Sequence, residues 1–243
     1  MDLQIKLVND GYAQAYTSAE ISNLPGWAVW RNEAYATTSE PVGFVYNRRL
    51  LAQQDVPQDR AGLIRLLKSQ STRLQGKVVA FDPEKSGLGY LLMAQDASVS
   101  RSGFRELASA LGEAKVRPGS GSGAMFTLLG SGECLIGYNL LASYAAGRAK
   151  KDLPDLGIVL PTDYTLVMSR IMFITRKAAH PNAARLWLDY VLSKRGQEII
   201  AKSDLGSIRA DVEGEMTLSD LGKRLGNALR PIPVGPEIGR AHV

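Results

Sequence analysis

The residues whose types and spacing could do chemistry fall in four short stretches. The first is Ser86-Gly87-Leu88-Gly89. It follows the apolar run Val78-Val79-Ala80-Phe81 and the turn pair Asp82-Pro83. That order predicts a strand, a loop and then a helix with Leu88, Leu91 and Leu92 on its apolar face. A helix opening straight after a strand points free N–H groups and the positive end of its dipole outward, and small residues there let an anion approach. The same residues also describe an ordinary serine-capped helix start.

The second stretch is the glycine-rich loop from Pro118 to Gly123, which contains Ser122 and precedes a helix carrying Met125, Leu128 and Leu129. No lysine follows its glycines, so it is not a nucleotide phosphate loop, and it lacks the spacing and downstream acid of a dinucleotide fold. A surface loop and a ligand contact both fit it. The third is Tyr138-Asn139, at the end of a strand expected over 133–138. The fourth is Asp163-Tyr164-Thr165, after a strand expected over 157–160. In open α/β sheets ligands sit beyond the carboxyl ends of the strands. Four polar stretches there predict a cleft for a polar ligand.

Other chemistries find no residues. Cys134 is the single cysteine and lies in an apolar strand, where a buried, inert thiol is expected. The two histidines, His180 and His242, support neither a histidine-rich metal site nor a Ser–His–Asp set. Glu133 and Asp163 have no evident acid partner for glycosidase-like work. Arg170 interrupts an apolar extended stretch over 166–175, and is either paired structurally or aimed at an anion. The expectation is a binding protein and not an enzyme, with no cofactor and no metal site.

Around these stretches the pattern is α/β. Helices are expected over 1–10 (face Leu3, Leu7, Val8; Gly11 as C-cap), 59–69 (Leu63, Leu66, Leu67) and 104–111, and most clearly over 182–194. The last has Ala183, Leu186, Trp187, Tyr190 and Val191 on one face. Strands are expected at 42–46, 78–81, 115–117, 133–138 and 157–160, while 37–41 reads as a polar loop. Strands alternating with helices indicate mostly parallel or mixed sheets. The chain has 243 residues, 45% hydrophobic and 22% charged, enough for one large or two modest domains. Its net charge of +5 is scattered, which argues against nucleic-acid binding.

Residues quoted in order carry a resemblance: MDLQIKLVNDGYA, EPVGFVYNRRLL, KVVAFDPEKSGLGY, LLGSGECLIGYN, PTDYTLVMSR and HPNAARLWLDYVLSKRGQ. Over nearly all of 1–237 the chain resembles the extracellular solute-binding proteins of bacterial ABC importers, in the branch that includes ferric-ion, phosphoglycerate and aminoethylphosphonate binders. The resemblance implies a type II periplasmic-binding-protein-like α/β fold with two lobes and a ligand between them. Residues 1–41 and 176–230 would form the first lobe, 48–167 the second, and 42–47, 168–175 and 231–237 the hinge crossings. The family's first lobe opens with elements that precede Met1, so that lobe is expected to be incomplete. Residues 238–243 match the translation of a sequencing adapter, and the natural sequence is expected to end near Glu237.

The resemblance also implies roles. Ser86, Gly87 and Leu88 match the place where an anion sits on a helix N-terminus, Ser122 a second polar contact, and Asn139 an asparagine near the ligand. The ferric branch carries adjacent tyrosines just after that asparagine, where this chain has Leu140-Leu141. The implied ligand is therefore an organophosphate or phosphonate in preference to ferric ion. Tyr138 and Asn139 would orient it, and Asp163, beside Tyr164, would pair with a ligand amine. The implied partner is an inner-membrane ABC permease, with a monomeric protein placed in the periplasm or lipid-anchored outside the cytoplasm. A ligand-sensing domain of a transcription regulator is the alternative.

Overall fold

The computed structural model describes residues 1–239. In chain order the elements are α1 (Asp2–Asn9), β1 (Val29–Trp30), β2 (Ala34–Ala36), β3 (Glu40–Asn47), α2 (Arg60–Ser69), α3 (Ser71–Leu74), β4 (Val78–Phe81), α4 (Gly87–Val99) and α5 (Arg101–Glu113). There follow β5 (Arg117–Gly119), α6 (Ser122–Ser131), β6 (Ile136–Leu141), α7 (Ala142–Lys151), β7 (Leu156–Val159), β8 (Thr165–Met168) and β9 (Ile171–Met172). The chain continues through α8 (Pro181–Leu192), α9 (Lys194–Lys202), α10 (Leu218–Leu225), β10 (Leu229–Pro231) and α11 (Pro236–Gly239). It divides into two compact units: unit 1 is Met1–Glu40 with the chain from Val167 onward, and unit 2 is Pro41–Leu166. Among the described residues no helix is long and apolar enough to cross a membrane. The expectation about residues 238–243 falls mostly outside the described residues.

Unit 2 is a mixed sheet in the order β7-β3-β6-β4-β5. β4 runs parallel to β5 and β6, while β3 is antiparallel to β6 and β7. Four strands therefore point the same way and end on one edge. Alternation sends Val78, Ala80, Ile136, Tyr138, Phe44 and Tyr46 to one face, where they join Leu63, Leu67, Leu107 and Leu111 of α2 and α5 in a single core. On the other face α6 packs against β4, β5, β6 and α7. Two glycines permit that approach: a Cβ at Gly137 would lie 3.1 Å from Leu129 Cδ1, and one at Gly119 would lie 2.5 Å from Met125 Cγ.

Unit 1 contains the antiparallel sheet β1-β2-β9. Buried polar side chains tie its segments together. Gln197 donates to the carbonyls of Thr37 (2.9 Å) and Val191 (3.0 Å) and accepts from Ser207 Oγ (2.9 Å) and Ile208 N (3.0 Å). Asp189 accepts from Tyr16 and Ser18, both at 2.6 Å. Arg209 donates to both carboxylate oxygens of Asp211 at 2.8 Å and to Glu20 at 2.7 Å.

Several expectations change. The stretch expected as a polar loop, 37–41, is buried at Thr37, Thr38, Ser39 and Glu40, and β3 already begins at Glu40. Glu40 is neutralised by Arg170, which donates through Nε (2.9 Å) and Nη2 (3.2 Å), and this pairing also accounts for the arginine in the apolar stretch. That stretch is two short strands, β8 and β9, broken at Ser169-Arg170. Helix α1 buries Ile5 and Val8 while Leu3 and Leu7 are exposed. Helix α8 likewise presents most of its sequence-read apolar stripe outward: Leu186, Trp187 and Tyr190 are exposed, and Leu188, Val191 and Leu192 face in. Both of its faces are apolar, and the Asp189 tether to Tyr16 and Ser18 holds the inner one.

The β1–β2 hairpin turns at Arg31 (φ 53°) and Asn32 (φ 56°), with Glu33 N–H bonded to Trp30 O at 2.9 Å. Two positive-φ central residues make a type I′ turn, which favours Asn or Gly over Arg at its first position. Arg31→Asn is expected to raise stability by about 0.5–1 kcal/mol in chemical denaturation, because the exposed Arg31–Glu33 ion pair it removes contributes little.

Candidate functional site

The parallel strands of unit 2 bring the expected residues to one edge. β4 ends at Phe81, and Ser86 caps α4, its Oγ accepting from Gly89 N–H at 3.1 Å. Tyr90 N–H bonds to Ser86 O at 2.9 Å. The N–H groups of Gly87 and Leu88 then have no protein acceptor among the described residues. The helix sits hard against its strand: a Cβ at Gly89 would lie 2.6 Å from Phe81 Cβ.

β5 ends at Gly119, and α6 opens at Ser122 with Gly121 as an N-cap that has no side-chain bond. Cβ atoms built on Gly121 and Gly123 would meet nothing within 4 Å, so this helix start faces open space. Two helix N-termini, on 13-residue and 10-residue helices, thus present free donors at the carboxyl edge of adjacent strands.

Tyr138-Asn139 does not end its strand, contrary to expectation. β6 continues to Leu141, and Tyr138 and Asn139 together oppose Phe44, because Gly137 pairs with Val45 and Leu140 with Gly43. This is a β-bulge, and Asn139 takes the left-handed conformation (φ 55°) that asparagine tolerates better than most residues. The bulge leaves Asn139 one step beyond the Tyr138–Ala80 pair, at the level where β4 ends.

The four expected residues Tyr138, Asn139, Asp163 and Tyr164 meet around two that sequence reasoning missed, Arg60 and Asp96. Asp96 is fully buried. Its Oδ1 accepts from Arg60 Nη2 (3.1 Å) and Tyr164 OH (2.9 Å), and its Oδ2 from Tyr138 OH (2.7 Å) and Asn139 Nδ2 (2.6 Å). A carboxylate offers about four lone-pair positions, so Asp96 is saturated. Arg60 also donates to Tyr138 OH (3.1 Å), Asp163 Oδ1 (3.0 Å) and the Tyr164 carbonyl (2.8 Å), and its guanidinium lies 3.4 Å from the centre of the Tyr164 ring. Burial alone would lower the guanidinium pKa, but Tyr138, Asp96, Tyr164 and Asp163 more than reverse that.

The hydroxyl protons of Tyr138 and Tyr164 are therefore committed inside the unit, as is the Asn139 Nδ2 donor. Asp163 is different: its side chain keeps 32% exposure at the edge. A sequence signal for Asp96 did exist, since Leu88, Leu92 and Asp96 repeat at four-residue spacing and put the acid on the buried side of α4. Arg60 likewise precedes Leu63 and Leu67 on the inner face of α2.

Removing one member of a buried pair leaves the other charge uncompensated. Asp96→Ala is expected to cost about 3–5 kcal/mol of stability. The double variant Arg60→Met/Asp96→Leu should cost less than the sum of its single changes, which a double-mutant cycle in denaturant measures. Burial first, and then the Asp96 carboxylate, raise the pKa of Tyr138 and Tyr164 above the usual 10.0. Below that pH neither the folded nor the unfolded state loses a phenol proton, and the stabilisation is intact. Above it only the unfolded state ionises, so stability should fall by about 1.4 kcal/mol per pH unit for each phenol. Tyr138→Phe should flatten that decline in denaturant titrations run from neutral pH to above 10.

Comparison with known proteins bears on this arrangement. The structure superimposes on the substrate-binding protein of an ABC transporter from Agrobacterium tumefaciens with a TM-score of 0.89 and 38% identity, over 99% of this chain and 75% of that one. The periplasmic binding protein AfuA of Actinobacillus pleuropneumoniae, solved with fructose-6-phosphate, matches at 22% identity and a TM-score of 0.72, over 91% of this chain and 71% of that one. The apo ferric ion-binding protein A of Pasteurella haemolytica matches at 14% and 0.78, over 99% and 76%. The last two show a shared fold. No curated protein matches the chain by sequence. A family model described as bacterial extracellular solute-binding protein matches residues 2–218. With that match and the periplasmic-binding-protein fold, the chain belongs to the bacterial extracellular solute-binding proteins.

Proposed function

We propose that this protein is the substrate-binding component of an ABC importer and that it captures a small organic anion, an organophosphate or a phosphonate. Members of its family bind solutes outside the cytoplasm and hand them to a membrane permease. The observation that carries the ligand class is the pair of open helix N-termini, α4 and α6, at the carboxyl edge of β4 and β5. Such N-termini combine unsatisfied N–H groups with a positive dipole end and favour anions.

Gly87 and Leu88 N–H, Ser86 and Ser122 would hold the anionic group. Asp163, the acid that remains reachable, would take a cationic or hydroxyl group elsewhere on the ligand. Tyr138, Asn139 and Tyr164 would act through the frame they form with Arg60 and Asp96. Leu140 and Leu141 lie buried in β6, where the ferric branch carries its tyrosines, so the organic anion is favoured over ferric ion.

Calorimetric titration with 2-aminoethylphosphonate, 3-phosphoglycerate and glycerol 3-phosphate tests this reading. At least one should bind, and at a hundredfold excess over its Kd it should stabilise the protein by about 2.7 kcal/mol. Ser86→Asp, which sets a negative charge on the α4 N-terminus, should abolish that binding. Absence of heat and of thermal shift with every anion would contradict the proposal.

A further inference from the structure

The apolar side of α5 is wider than the core it serves. Leu107, Ala110 and Leu111 pack into the unit 2 core, beside α2. Phe104, Ala108 and Gly112 continue the apolar side at four-residue spacing, with Phe104 partly buried and the other two exposed. Together with Leu111 they line a cavity of about 240 Å³. Met93 of α4, Phe81 and Pro83 at the end of β4, and Pro118 of β5 supply much of the remaining wall.

The chemistry of this cavity differs from that of the helix N-termini. None of its eleven lining residues is charged, and the one hydroxyl among them, on Tyr138, already donates to Asp96. An anion has nothing to pair with there, and Ser86, Gly87, Leu88 and Ser122 are not part of the wall. Size narrows the occupant further. An apolar cavity of about 150 Å³ admits benzene, and sites for drug-sized ligands start near roughly 300 Å³. The volume here lies between them, which suits one ring or two fused rings. Phe81, Phe104 and Tyr138 offer ring faces and edges to an aromatic guest, and Met93 adds a flexible, polarizable wall.

We propose that this cavity is a binding site, separate from the anion site, for a small uncharged aromatic molecule of the size of toluene or indole. Two small residues keep it open. A Cβ built on Gly112 would meet nothing within 4 Å, so a leucine there, or at exposed Ala108, has room to occupy the space without entering the core.

Calorimetric titration of the full chain with toluene and with indole tests the proposal, on wild type, Gly112→Leu and Ala108→Leu, with thermal unfolding of each variant as a check on folding. Wild type should bind both probes saturably at a single site. Each leucine variant should melt close to wild type and weaken both probes by about tenfold or more. A xenon-pressurised crystal of wild type locates the site without any substitution, and xenon is expected between α4, α5 and β5. Wild type that binds neither probe saturably, folded leucine variants that bind them as tightly as wild type, or xenon found only elsewhere in the molecule would each overturn the proposal and leave the anion site untouched.

Discussion

The geometry of unit 2 depends on one buried ion pair, Arg60 with Asp96. Each charge would be costly inside a protein by itself. Here Arg60 spreads its donors over Asp96, Asp163, Tyr138 and the Tyr164 carbonyl, and Asp96 fills all its acceptor positions. The pair joins the first turn of α2, the last turn of α4, the β6 bulge and the segment before β8. These elements are far apart in sequence, and their side chains share a single network.

That network explains why a strained residue is tolerated at the strand edge. Asn139 in a left-handed conformation costs backbone energy, and its amide recovers some of it at Asp96. The bulge in turn lets β6 run on past the level where β4 stops, so α7 starts at Ala142 and not at the strand end the sequence suggested. The polar groups nearest the core are consumed by the frame. Those left for a ligand are the backbone donors of α4 and α6, two serines and the partly exposed Asp163. The candidate site in this unit therefore combines a hydrogen-bonded interior with open donors along its rim.

The sequence revealed much of this, and its failures have physical reasons. The β4–turn–α4 unit was legible because an apolar run, Asp-Pro and a serine N-cap are all local signals. The four polar stretches on one edge followed from the alternation of strands and helices. The end of β6 was misplaced because polar Tyr138-Asn139 reads as a turn when the Asp96 acceptor from another element is unknown. Arg60 and Asp96 were passed over for the same reason: a charge on an apolar helix face gains meaning only once its partner is found. In α8 the stripe of Leu186, Trp187 and Tyr190 was a sound helical period, but Leu188, Val191 and Leu192 formed a second one. The Asp189 tether chose between them.

The most direct measurement is a crystal structure of the protein with one of the phosphorus compounds named above. The account predicts an anionic group within hydrogen-bond reach of the Gly87 and Leu88 N–H groups, its remaining atoms beside Asp163, and the Arg60–Asp96 network unchanged. A ligand held elsewhere in the molecule, or a neutral group or metal ion at the α4 N-terminus, would contradict it.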